Sequence, residues 1–233
     1  VRFDVVTLHP DLVRGPLGGS ILGRAVTDGR LLIGVHDLRD VATGRHRAVD
    51  DAPYGGGAGM VLRVDIVARS LARLRRPDSH VLLMGPGGTR FDQSHARRLA
   101  SLPHLILVCG HYEGFDARVE ALCDEELSIG DYVLTGGEIA ACAIVDAVGR
   151  LVPGVLAASS PLDESFGDGL LEYGQYTRPR VFGGVEVPQV LVSGHHERIR
   201  RWRRADSRHR TEVRRPDLLP ASPGAVDGSR DDD

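Results

Sequence analysis

Glu113, Asp116, Asp131 and Glu138 stand in or beside three glycine turns: Gly85-Pro86-Gly87-Gly88, Gly110-His111-Tyr112-Glu113-Gly114 and Thr135-Gly136-Gly137. A carboxylate in such a place can accept a hydrogen bond from the edge of a base or take a proton. Glycine lets backbone N–H and carbonyl groups approach a ligand with no Cβ in the way. One such turn alone reads as plain connection; three together read as a site for a nucleoside or nucleotide. Asp116 and Glu138 each open an expected helix, where capping the unpaired N–H groups is the favoured role. Glu113 lies mid-turn between Tyr112 and Gly114, and both readings stay open for it. A dinucleotide fold is poorly supported, because the order G-x-G-x-x-G is missing and no acidic residue has the spacing expected of a ribose contact.

Residue type excludes several other chemistries. A Walker-type phosphate loop and a pyridoxal Schiff base both need lysine. The chain has none: all 29 of its basic residues are arginine, against 32 acidic ones. Ser20, Ser94, Ser128 and Ser193 have no Gly-x-Ser-x-Gly context, so the nucleophile elbow of an α/β-hydrolase is absent. The ten histidines show no metal-ligand spacing, and His195-His196 are adjacent, so no zinc site is expected. Cys109, Cys123 and Cys142 are odd in number and far apart, which speaks against a disulfide framework and for buried thiols in a cytosolic protein.

The elements that must position these residues follow from periodicity. Residues 3–8, 31–35, 81–84, 105–109 and 128–134 read as strands, and 21–28, 65–74, 92–100, 116–122 and 138–148 as helices. Strands that end in glycine turns before helices make an α/β domain with a parallel sheet, and ligands on such sheets sit beyond the carboxyl ends of the strands. A polar segment at 39–63 is long for a loop inside a domain and so reads as functional or disordered. Near Pro153-Gly154 the pattern breaks into a small, acidic linker, followed by a helix at 197–204 that carries Trp202, read as a core residue. The end, from Pro216, is expected to fray. With 42% apolar residues the chain can bury a core. Its apolar runs fall short of the ~18 residues of a membrane helix. The N-terminal stretch lacks the basic, apolar and small-residue order of an export signal, so the expected location is the cytoplasm.

A formal net charge of −3 hides an asymmetry. Between Arg178 and Arg215 eleven arginines face four acids, giving +7, so the remainder carries −10. Such a module meets phosphate, or it is the solvated face of a surface helix; charge alone weighs the two equally.

Four strings, in order, resemble a single family: Asp50-Asp51-Ala52-Pro53-Tyr54-Gly55-Gly56-Gly57-Ala58-Gly59-Met60, Val108-Cys109-Gly110-His111-Tyr112-Glu113-Gly114-Phe115-Asp116, Ser128-Ile129-Gly130-Asp131-Tyr132-Val133-Leu134-Thr135-Gly136-Gly137-Glu138 and Tyr176-Thr177-Arg178-Pro179. They look like the TrmD family of bacterial tRNA (guanine-N1)-methyltransferases, which act at guanosine 37 beside the anticodon. The likeness runs from about Phe3 to about Leu219.

The resemblance implies a SPOUT fold, an α/β parallel sheet whose chain at 81–134 forms a trefoil knot, with a small, mainly helical C-terminal domain. Periodicity alone predicts an ordinary open sheet, since true knots are nearly absent from proteins. On this reading residues 1–156 form the cofactor-binding catalytic domain, 157–170 the linker and 171–233 the tRNA-binding domain with its frayed tail. The implied cofactor is S-adenosylmethionine, bound in a bent shape; the need for a divalent ion is left open. The implied partners are the tRNA anticodon stem-loop and a second copy in an obligate homodimer. At the matching positions, Leu83, Met84, Gly85, Pro86, Gly110, Tyr112, Glu113, Ile129, Gly130, Asp131, Tyr132, Val133, Leu134, Gly136 and Gly137 line the cofactor site. Asp50, Tyr54, Gly55, Gly56, Arg178, Arg198, Arg200, Arg201, Arg203 and Arg204 face the tRNA. Arg150 matches the catalytic arginine. The family's general base, usually an aspartate, falls on Glu164, with Asp163 and Asp168 as rivals. Two other functions compete: an RNA-binding protein on an inactive copy of the fold, and a related enzyme that methylates a ribose 2′-hydroxyl.

Overall fold

Near-continuous apolar strands such as His104–Cys109 require cover on both faces of their sheet. The structure, a computed structural model, provides it and describes residues 1–156 and 164–220. The rest of the chain, with the first half of the expected linker, Asp163 and most of the expected tail, lies outside the described residues. The chain divides into two compact units, Val1–Ala158 and Ser159–Asp233.

The first unit contains β1 (Arg2–Thr7), α1 (Pro10–Leu17), α2 (Ser20–Thr27), β2 (Leu32–Asp37), β3 (Asp50–Asp51), β4 (Val61–Leu62) and α3 (Val64–Leu74). It continues with β5 (Ser79–Arg90), α4 (Gln93–Ala100), β6 (His104–Cys109), β7 (Glu125–Ser128) and α5 (Glu138–Gly149). Five strands form one parallel sheet in the order β2-β1-β6-β5-β7. Side chains alternate between its faces. Phe3, Val5, Leu105 and Leu107 pack with Val13, Leu22, Leu99 and Ile144, from α1, α2, α4 and α5. Val6, Ile106 and Val108 pack with Ile66 and Val67 of α3 on the other face. The α/β parallel sheet expected from the sequence is therefore present.

Several expected boundaries move. Pro10–Leu17 is a helix rather than a loop; Pro10 sits in its first turn, where a missing N–H leaves nothing unpaired, and Val13 and Leu17 bury its inner face. β5 does not end at Met84. Met84 and Thr89 both pair with Leu127, so residues 85–88 bulge out and the strand resumes beyond them. β7 ends at Ser128, and the run at 129–134, expected as a strand, is a loop whose Tyr132 and Val133 are exposed. The polar segment at 39–63 carries a 3-10 turn at Leu38–Val41 and the small antiparallel pair β3-β4.

On the α3 face of the sheet, Asp4 is buried and receives hydrogen bonds from Arg2 at 2.6 and 2.9 Å, His36 at 2.8 Å and His104 at 2.8 Å. Ser79 Oγ accepts from the Arg76 N–H at 2.7 Å and shares a hydrogen bond with His104 Nδ1, also at 2.7 Å. This Ser-His-Asp chain lies at the strand ends opposite the glycine turns and serves the sheet.

The second unit holds β8 (Val181–Phe182), β9 (Val185–Glu186) and α6 (His196–Arg214). The helix is longer than expected and very polar, so its own sequence buries little. A strap of chain fastens to it instead. Leu171 donates to Thr211 Oγ1 at 2.9 Å, Ser207 Oγ to the Leu171 carbonyl at 2.6 Å, and Gly174 to Asp206 Oδ2 at 2.7 Å. Asp206 and Arg210, like Ser207 and Thr211, stand four apart, so one helix face holds the whole strap.

Candidate active site

The bulge of β5 and the carboxyl ends of β6 and β7 open onto a cavity of about 400 Å³. Three segments wall it: the bulge of β5, the turn after β6 and the loop after β7. Gly137 locks two of them together. A Cβ there would lie 2.9 Å from both Cys109 Cα and Met84 Cβ, and the Gly137 N–H donates to the Gly110 carbonyl at 2.9 Å. His111 and Gly136 add an antiparallel bridge. The long polar segment is tied to the same turn: Glu113 donates to the Met60 carbonyl at 3.1 Å and Leu62 to that of Gly114 at 2.9 Å.

Of the residues expected to hold a cofactor, Leu83, Met84, Gly85, Pro86, Gly110, Tyr112, Glu113, Ile129, Gly130, Tyr132, Val133, Leu134, Gly136 and Gly137 line this cavity. Asp131 is exposed and does not line it. Glu126, Glu120, His111 and Phe115 were missed and also line it. Glu126 lies far from any glycine turn in sequence; only the pairing of β5 with β7 brings it there.

Four carboxylates, Glu113, Asp116, Glu120 and Glu126, line the cavity, and no arginine does among the described residues. Asp116 is engaged: hydrogen bonds from the Arg118 side chain at 2.6 and 2.8 Å and from its backbone at 3.0 Å draw its carboxyl down to about 2. It caps the 3-10 turn Ala117–Leu122, as its place in the sequence suggests. Glu138 does not cap. Gly137 holds the cap position of α5, and Glu138, only 2% exposed, turns inward to accept from Thr7 Oγ1 at 2.7 Å. Burial, then the charges of Glu138 and Cys142, push the Cys109 thiol well above its usual range, so it is inert.

Arg150, half-buried, stands at the C-terminal cap of α5. Asp50, half-buried, belongs to β3. Tyr54 is 100% exposed, followed by Gly55 and Gly56 with φ of 89° and 78°.

In the second unit, Glu164 is half-buried and lines a groove of about 940 Å³ with Asp168, Arg200, Arg201, Arg203 and Arg204; Arg198 does not reach it. The Arg203 guanidinium lies over the Tyr173 ring at 4.6 Å. Arg201 pairs with Glu197 at 3.3 Å, whereas among the described residues Arg198, Arg200 and Arg204 make no ion pair. Arg178 lines a smaller cavity of about 360 Å³ beside Tyr176, whose ring meets the edge of half-buried Trp202 at 6.1 Å. Among the described residues no group of three or more His, Cys, Asp or Glu is placed to hold a metal ion. No helix there is long and apolar enough to cross a membrane.

The family model described as tRNA (Guanine-1)-methyltransferase TrmD matches residues 1–221. A Chloroflexus aggregans protein is 56% identical over 229 residues, 97% of this chain and 90% of its own length. One from Syntrophotalea carbinolica is 56% identical over 220 residues (93% and 89%), and one from Limosilactobacillus fermentum 52% over 226 (94% and 90%). All three are named tRNA (guanine-N(1)-)-methyltransferase. With a family model spanning nearly the whole sequence, and relatives sharing over half of its residues across almost their full lengths, the chain belongs to the tRNA (guanine-1)-methyltransferase TrmD family.

Proposed function

We propose that the protein transfers a methyl group from S-adenosylmethionine to N1 of guanosine 37 in tRNA, next to the anticodon. The observation that carries the choice of donor is the charge of the first unit's cavity. In a chain whose every basic residue is arginine, none of the described arginines lines it, while four carboxylates do, of which Asp116 is already paired with Arg118. That environment suits a cation. The volume is that of a small-molecule site, and Leu83, Met84, Ile129 and Leu134 offer an adenine apolar walls. When bound, the cofactor supplies a methyl group on a sulfonium.

Guanine N1 carries a proton and is a poor nucleophile until it is lost. Glu164 takes that proton, in preference to Asp168 because it is the less exposed of the two and stands at the family's position. Asp163 lies outside the described residues. As N1 is deprotonated, charge spreads to O6, and the Arg150 guanidinium stabilises it there. Arg198, Arg200 and Arg204, lacking protein counter-charges among the described residues, hold anticodon-stem phosphates, with Arg178, Arg201 and Arg203 beside them. Asp50 and the Tyr54-Gly55-Gly56 tip face the loop, where an exposed ring can stack on an unpaired base.

The same reading includes the knot, supported by the order β6-β5-β7, which makes the chain return across β5 to reach β7. It includes a homodimer, supported by Leu12 and Ile139 exposed on the adjacent helices α1 and α5, and work in the cytoplasm. Given S-adenosylmethionine and unmodified tRNA, the protein should yield 1-methylguanosine on nucleoside digestion; a 2′-O-methylated nucleoside instead would establish the ribose-methylating alternative.

A further inference from the structure

We infer that Glu126 is the ribose-binding residue of the cavity, its carboxylate accepting hydrogen bonds from the 2′- and 3′-hydroxyls of the cofactor's adenosine. The inference rests on the proposed reading of that cavity as the S-adenosylmethionine site.

Position is the first argument. In dinucleotide-binding parallel sheets a glycine turn ends one strand and an acid further along the chain takes a ribose hydroxyl; this sheet lacks that motif but offers the same pair of features by another route. Here β5 carries the glycine bulge, and its hydrogen-bonded neighbour β7 presents Glu126, the second of its four residues, opposite Leu83, two residues before the bulge begins. The usual sequence spacing misses this acid because β6 intervenes in the chain between the two paired strands.

Contact is the second. A Cβ on Gly85 would collide with Glu126 Oε1, and one on Gly87 would come within 3.4 Å of it. The carboxylate therefore lies against bare backbone, held at the wall where the bulge faces the cavity.

The third is the absence of a partner in the protein. Among the described residues the Glu126 carboxylate makes no hydrogen bond or ion pair, although the residue is half-buried. The other acids of the cavity differ: Asp116 is engaged by Arg118, and Glu113 and Glu120 are exposed. A carboxylate set at a cavity wall with no donor from the protein keeps its acceptor capacity for a ligand that brings donors. A ribose diol brings two.

The test is calorimetric binding of S-adenosylmethionine, S-adenosylhomocysteine and 2′-deoxy-S-adenosylhomocysteine to the wild type and to Glu126→Gln. Gln keeps the shape of Glu, and a thermal melt checks that the fold is retained; Glu126→Asp, which keeps the charge but shortens the reach, should bind with intermediate affinity. The expected result is that Glu126→Gln weakens both natural ligands alike, by roughly ten- to a hundredfold. Removing the 2′-hydroxyl should weaken binding to the wild type but much less to Glu126→Gln. Weakened S-adenosylmethionine with unchanged S-adenosylhomocysteine would mean that the carboxylate opposes the sulfonium charge, which overturns the ribose assignment. So would unchanged affinities, or an equal 2′-deoxy penalty in both proteins. A wild type that binds none of the three removes the cofactor reading itself, and the inference with it.

Discussion

Arg150 ends α5, where the exposed carbonyl dipoles of the helix favour a cation. Truncation there removes a guanidinium from a helix end without opening the core, so the fold should survive it. Arg150→Ala is expected to lower kcat by on the order of 10²–10³ while leaving S-adenosylmethionine affinity within about twofold of wild type. Single-turnover kinetics beside calorimetry separate the two quantities, and near-normal turnover would remove Arg150 from the chemistry. At this level the sequence was informative where a residue's role is local. Asp116 caps as its position before a helical run suggests. Glu138 looked equivalent and is not, because Thr7, 131 positions away, turns it inward. Glu126 was invisible for the same reason: strand pairing, not spacing, gives it its surroundings.

The bulge at 85–88 is the element on which the cavity depends. Gly88 lies so close to the β7 backbone that a Cβ would overlap the Glu126 carbonyl, and a backbone neighbour cannot rotate away as a side-chain tip can. Gly88→Ala should therefore destabilise the protein by about 1–3 kcal/mol and weaken cofactor binding along with it. Thermal melts and titration of S-adenosylhomocysteine measure both effects; an unchanged midpoint and affinity would show that the bulge relaxes freely. Periodicity foresaw the parallel strands because both sheet faces are buried and their runs are unbroken. It misplaced β7, since the apolar run at 129–134 resembles a buried strand when it is in fact cavity wall, with Val133 91% exposed. It also stopped β5 early, because glycine and proline ordinarily end a strand and here only bend it.

The sheet of the first unit carries a buried charge at its α3 face. Burial works against the ionised Asp4, but hydrogen bonds from His36, Arg2 and His104 outweigh it and keep the carboxyl well below the usual range. A group depressed in this way contributes stability that is complete above its unfolded value near pH 4 and is lost as the pH falls toward the folded one. Asp4→Asn should be less stable than the wild type at pH 7 by about 3 kcal/mol, with a smaller further loss on acidification to pH 3. Urea titrations at the two pH values decide, and equal acid losses in both proteins would contradict the assignment. The charge asymmetry of the chain was legible from the order of its charges, and so was its basic helix; the strap that fixes that helix was not, because it depends on hydrogen bonds between residues more than thirty positions apart. What the whole assembly does is tested most directly by methyl transfer from labelled S-adenosylmethionine to two tRNA transcripts that differ only in carrying guanosine or adenosine at position 37. Label on the guanosine transcript alone is the predicted result; label on both, or on neither while tRNA still binds, would contradict it.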